Sequence, residues 1–154
     1  MKILVVYDSY FGNTEKVAQA IGEALGDAEV KRPGDVKAGE LSELDILVVG
    51  SPTRGFRPSD GIKSFLKEIP SGGLKGVKVA SFDTRIARED TGNPVLRFMI
   101  GIFGYAAKPI RDNLSKKGGE PLGEPVGFIV LGTEGPLKEG ELERAAAWAG
   151  SLVS

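Results

Sequence analysis

The 154-residue chain contains no cysteine and no histidine. The first absence excludes disulfides, thiolate nucleophiles, cysteine-ligated zinc and iron–sulfur clusters. The second removes the commonest general base, any serine–histidine–aspartate triad and most transition-metal sites. Acid–base or redox chemistry near neutral pH would therefore come from a borrowed cofactor rather than from the side chains. An excess of one charge is missing too: Lys+Arg total 20 and Asp+Glu 21, which argues against a strongly basic nucleic-acid binder. Long apolar runs are also absent. Ile3 to Val6 runs straight into Tyr7-Asp8, too short for a signal-peptide core, and no stretch nears the roughly 18 residues that cross a bilayer. The expectation is a soluble cytoplasmic protein with no membrane insertion, no nucleic-acid partner and no metal.

What is present is ordinary globular material: 41% hydrophobic and 27% charged residues, in a length that suits one domain, residues 1–154. Short β-branched runs bounded by glycine and turn residues, Ile3 to Val6, Ile46 to Val49 and Phe128 to Leu131, read as buried parallel strands. Val77 to Phe82 is a more mixed fourth strand and Ala28 to Lys31 a weaker edge strand. Helical stripes separate them. Val17, Ile21 and Leu25 share one face and stop at Gly26. Ile62, Phe65, Leu66 and Ile69 follow Ser59 as N-cap and precede Pro70. Asn93-Pro94 opens the longest stripe, from Leu96 through Met99, Ile100, Phe103, Ala107 and Ile110 to Leu114, which ends at Gly118-Gly119. A last helix begins near Glu139, and Lys31 to Leu44 is a surface connection with at most a short helical turn. Alternating strands and helices predict a parallel sheet with right-handed crossovers, whose ligand lies beyond the carboxyl ends of the strands.

The first of those ends is the strongest signal. Asp8-Ser9-Tyr10-Phe11-Gly12-Asn13-Thr14 leads directly into a helix. Hydroxyls, an amide and a glycine around a helix N-terminus make an anion site from backbone N–H groups and the helix dipole. No lysine or arginine lies between Lys2 and Lys16, which suits a phosphate monoester held by neutral donors. The loop has neither the Gly-Lys-Ser/Thr of a P-loop nor a Gly-x-Gly-x-x-Gly fingerprint.

The run Val5-Val6-Tyr7-Asp8-Ser9-Tyr10-Phe11-Gly12-Asn13-Thr14 resembles the phosphate loop of the flavodoxin family, as does the following Glu15-Lys16-Val17-Ala18. The resemblance implies a flavodoxin-like three-layer sandwich, a five-stranded parallel sheet in order 2-1-3-4-5 with helices on both faces. It also implies FMN as cofactor, with its phosphate at Ser9, Tyr10, Phe11, Gly12, Asn13 and Thr14. Asp45 to Thr53 is similar to the third strand of flavodoxins and its exit, which would lay Pro52, Thr53, Arg54, Gly55, Phe56 and Arg57 along the isoalloxazine ring. Gly55 is a candidate for a peptide that flips, since glycine accepts both orientations. Phe56 either stacks on the ring or packs on the second helix; Arg54 and Arg57 are solvated, or sit near the flavin or an anionic partner. The loop from Ser81 to Arg88 would meet the pyrimidine side, with Asp83, Thr84 and Arg85 as contacts and Arg85 as a cation near N1 and O2.

The chain departs from the family in two ways. The Gly-rich acidic loop with a ring-stacking tyrosine is not found, and the nearly neutral charge contrasts with strongly acidic flavodoxins. Trp148, the one tryptophan, reads as core, and Gly132 to Pro136 as a connection that borders the ligand end. The favoured function is an electron carrier between a reductase and an acceptor, without catalytic residues of its own. The alternatives are an FMN-dependent NAD(P)H:quinone or flavin reductase and a flavin-free interaction domain. Phe98, Ile102 and Tyr105 hint at an interface.

Overall fold

In the computed structural model, residues 1–37, 39–87 and 92–154 are described, with 101–103 as backbone only. Strand β1 (Ile3–Tyr7) leads into helix α1 (Asn13–Leu25) and then edge strand β2 (Glu29–Lys31). Two short 3-10 turns, Pro33–Asp35 and Leu41–Glu43, make up the predicted surface connection before β3 (Ile46–Pro52). Helix α2 (Asp60–Glu68), β4 (Lys78–Arg85), α3 (Pro94–Phe103) and α4 (Ala107–Lys116) follow. The chain closes with β5 (Glu120–Pro121), β6 (Val126–Ile129) and α5 (Glu141–Val153).

The sheet runs β2-β1-β3-β4-β5, with β6 also on β4; every pairing is parallel. This is the order 2-1-3-4-5 expected from the sequence, with the fifth position divided. Lys78 and Val79 pair with β5, Phe82 to Arg85 with β6. The last strand lies two residues earlier than Phe128 to Leu131, and Val130 instead bridges Leu137. Alternation along each strand feeds two cores. Leu4, Val6, Leu47, Val49 and Val79 meet Ile62, Phe65 and Leu66 of α2 and Ile110 and Leu114 of α4. Ile3, Val5, Ile46, Val48, Phe82 and Phe128 meet Val17 and Ile21 of α1 and Ala145 and Ala149 of α5. Fully burying one such aliphatic side chain contributes about 1.5–3 kcal/mol. Trp148 packs on the second core, edge-on to Phe82 at 6.3 Å and to Phe128 at 6.3 Å.

The long stripe from Leu96 to Leu114 is two helices rather than one. Gly104 breaks it at φ 73 and ψ −145, a conformation open to glycine and closed to most residues. Asn93 caps α3 as its sequence predicts, its Oδ1 accepting from the N–H groups of Val95 and Leu96. Ser59 caps α2 through the Ile62 N–H.

Candidate functional site

At the carboxyl ends of β1, β3 and β4 lies a cavity of about 120 Å³. It sits where the strand order reverses between β1 and β3, the ligand position of open parallel sheets. One wall is the turn after β1. Gly12, at φ 93, turns the chain into α1 and leaves that helix without a side-chain cap, so its first N–H groups have no partner within the helix. The Gly12 N–H donates to Ser9 Oγ at 3.0 Å, leaving the Ser9 hydroxyl proton for a further acceptor. Ser9, Asn13 and Thr14 line the cavity with Tyr10 and Phe11. These two aromatic rings are half exposed, and the Arg54 guanidinium stands 4.6 Å over the Tyr10 ring.

The back of this turn is braced by a polar cluster. Asp8 Oδ2 accepts from the Ser59 hydroxyl at 2.6 Å, tying β1 to the start of α2. Gly61 makes room, since a Cβ there would stand 2.7 Å from Asp8 Oδ2. Arg32 donates to Asp8 Oδ1 and to the Ser9 carbonyl, both at 3.3 Å, and lies 5.0 Å from the centre of the Tyr7 ring. The Tyr7 hydroxyl donates to Glu15 at 2.5 Å; burial and that carboxylate hold its pKa above the usual phenol value. This brace was not anticipated from the sequence, although Asp8, Ser9 and Ser59 all stood in recognised turns.

Pro52, Thr53 and Arg54 form a second wall. The chain then makes a two-residue turn, with Arg54 N–H to the Arg57 carbonyl at 2.7 Å and the reverse bond at 3.0 Å. Gly55 (φ 53) and Phe56 (φ 70) are both left-handed, as a type I′ turn requires. For Phe56 that conformation costs about 1–2 kcal/mol. Neither Gly55 nor Phe56 lines the cavity.

Thr84, Arg85 and Ile86 make the third wall. Thr84 Oγ1 bonds Thr14 Oγ1 at 2.7 Å, joining the first wall to the third in a buried contact. Asp83 turns away from the cavity and is fully buried. It accepts from Arg85 Nε at 2.6 Å, from Arg85 Nη2 at 2.7 Å and from the Ala107 N–H at 2.8 Å. Burial pushes the Asp83 carboxyl up, against the opposing pull of the Arg85 guanidinium and the Ala107 N–H. The guanidinium is gripped on its faces as well, with the Tyr105 ring 3.7 Å away and Gly127 so close that a Cβ there would lie 2.0 Å from Nε. Arg85 lines the cavity, and its guanidinium is half of a bidentate ion pair rather than a free cation.

Three cavity residues were not singled out from sequence: Ile86, Val130 and Thr133. The last belongs to the loop from Gly132 to Pro136, which is more than a connection, since Asn13 Nδ2 donates to the Glu134 carbonyl at 3.1 Å. Its position beyond the final strand was the only available signal. Arg88 and the side chain of Ile102 lie outside the described residues.

Those neutral donors at a helix N-terminus, beside two loops at a β1/β3 switch point, match the family relationship. A family model described as flavodoxin matches residues 5–148, and the chain belongs to the flavodoxin family. Among curated proteins it is 28% identical over 187 aligned positions to an NAD(P)H dehydrogenase (quinone) of Bradyrhizobium sp., covering 95% of this chain and 91% of the relative. A protein of the same name from Methylocella silvestris is 24% identical, with the same coverage. Among solved structures, oxidised flavodoxin 2 of Bacillus cereus superimposes with a TM-score of 0.77 at 24% identity, covering 99% of this chain and 98% of that one. A flavodoxin from the domain Archaea gives 0.75 at 23%, covering 99% and 96%. These structural likenesses confirm the fold.

Proposed function

We propose that the protein binds FMN non-covalently and passes electrons between a reductase and an acceptor protein. The observation that carries this reading is the uncapped N-terminus of α1, opening into the cavity with Ser9, Asn13 and Thr14 around it. A phosphate dianion there gains hydrogen bonds and the favourable end of the helix dipole. The residues fit such a group: the loop offers hydroxyl, amide and backbone donors, and among the described residues no competing carboxylate lines the cavity, Asp8 being held by Ser59 and Arg32. When bound, FMN supplies one- and two-electron chemistry that these side chains lack.

The chain's own part is to bind, orient and tune. Ser9, Tyr10, Phe11, Gly12, Asn13 and Thr14 hold the phosphate end. Pro52 to Arg54, with Thr84 and Arg85, flank the ring; Gly55 and Phe56 close the turn beyond Arg54, and Asp83 acts through Arg85. The Gly55–Phe56 peptide is the one placed to change orientation, because its turn already holds a strained residue and a permissive one. Arg85, fixed by Asp83, holds positive charge at the pyrimidine end without freedom to leave.

A reductase taking electrons from NAD(P)H for a quinone is the second reading, favoured by the names of both curated relatives. Titrating apo-protein with FMN, riboflavin and FAD tests the first claim. FMN is expected to bind at least about a hundredfold more tightly than riboflavin, reflecting charge-assisted phosphate bonds of about 1.5–3 kcal/mol each. No quenching of any flavin would remove the proposal. Rapid reduction of the FMN-loaded protein by NADPH alone would move the assignment to the reductase.

A further inference from the structure

Helix α3 carries a broad apolar face. Its ten residues, Pro-Val-Leu-Arg-Phe-Met-Ile-Gly-Ile-Phe, carry one charge, Arg97. Only Ile100 among its described side chains is buried; Val95 is 66% exposed, Phe98 64% and Leu96 39%. An apolar face this broad that is left outside its own chain's core belongs against another protein or lipid. At 1.5 Å per residue α3 is about 15 Å long, half of the roughly 30 Å hydrocarbon core. It can enter a bilayer surface and cannot cross one, and no described helix is long and apolar enough to do so.

Charge decides among the surfaces that could cover it. Among the described residues, 52–68, 86–87 and 92–117, which contain α2, α3 and α4, hold nine lysines and arginines against three acidic residues; the other described residues hold ten against sixteen. Helices α2 to α4 and their adjoining loops are therefore the net positive part of a nearly neutral molecule. A groove of about 480 Å³ between α2 and α4 is lined by Arg57, Lys63, Lys67 and Lys117, with no acidic residue in its lining among the described residues. Lys108, in the first turn of α4 just beyond the Gly104 break, is exposed as well. Two copies related by a twofold axis through α3 would bring these positive sides together. An anionic surface would complement them.

The geometry points to an anionic lipid surface as the partner, with α3 seated among the headgroups and the basic side of α2 and α4 against their phosphates. Exposed apolar area and nearby cations contribute additively to such binding. The inference does not depend on the flavin, so its failure and that of the FMN assignment are separable: one is read with vesicles, the other by flavin titration.

Co-sedimentation of the purified full chain with vesicles tests it. The protein is expected to pellet with vesicles of equal parts phosphatidylglycerol and phosphatidylcholine, to remain soluble with phosphatidylcholine alone, and to be released by high salt. The double variant Val95→Ser, Phe98→Ser, both at exposed positions, should lower the partition about tenfold or more at an unchanged circular-dichroism spectrum. Lys67→Glu with Lys108→Glu should lower it by a similar factor. Failure of the wild type to pellet, or equal pelleting with both vesicle types, overturns the inference. So does loss of sedimentation-velocity dimers in the Val95→Ser, Phe98→Ser variant without any vesicle binding, which would assign α3 to a second copy of the chain.

Discussion

Helices α3 and α4 are consecutive, each ten residues long and cut from one apolar stripe, and they end in opposite environments. In α4 the apolar positions Ala107, Ile110 and Leu114 recur every three or four residues and all are buried, while Lys108, Asp112 and Asn113 face solvent. In α3 the apolar face is broader, and its residues at 95, 96 and 98 stay outside. What the neighbouring elements cover, not total hydrophobicity, is what assigns a helix to the core of its own chain. The junction reinforces the division. Ala106 N–H donates to Thr53 Oγ1 and Ala107 N–H to Asp83, so α4 is anchored to the cavity walls at its first residues.

The contrast predicts effects of very different size. Leu114→Ala, a deletion in the closed core beneath α4, should cost about 3 kcal/mol within the usual range for such changes; urea denaturation measures it. A cost below 1 kcal/mol would mean that α4 is no better packed than α3. Gly104→Ala, at φ 73 and ψ −145, should cost about 1–3 kcal/mol by forcing alanine into a backbone region that essentially only glycine adopts, again read by denaturation. A neutral result would mean that the two helices can fuse into the single one their stripe suggests. Phe98→Ser should change stability by no more than about 0.5 kcal/mol. A larger loss would place Phe98 in the core and dissolve the comparison.

Much of the fold is legible because its strands are β-branched runs and its helices carry caps and stops in the residues themselves, as at Ser59, Asn93 and Gly26. The first wall of the cavity is legible for the same local reason, since seven consecutive residues build it. The break at Gly104 is harder to read, because the stripe keeps helical spacing across it and only backbone geometry shows the change of direction. Val130 and Thr133 join the cavity through the pairing of β6 with β4, a long-range contact no spacing encodes. The loop position of Arg85 is legible, but its pairing with Asp83 two residues away follows from both being on the same face of β4 and from the burial of that face, which depend on the whole sheet.

Gly127 differs from most of the glycines that shape the turns. Its backbone is in no unusual conformation; among the described residues it is excluded from the left-handed group, and what it provides is emptiness for the Arg85 guanidinium. The tolerance of this position to substitution is therefore set by another strand's side chain. A methyl at 127 would displace the Arg85 guanidinium from its present seat and so loosen its pairing with Asp83. Changes on β6 are thereby coupled to the charge arrangement on β4, although the two positions are far apart in the sequence.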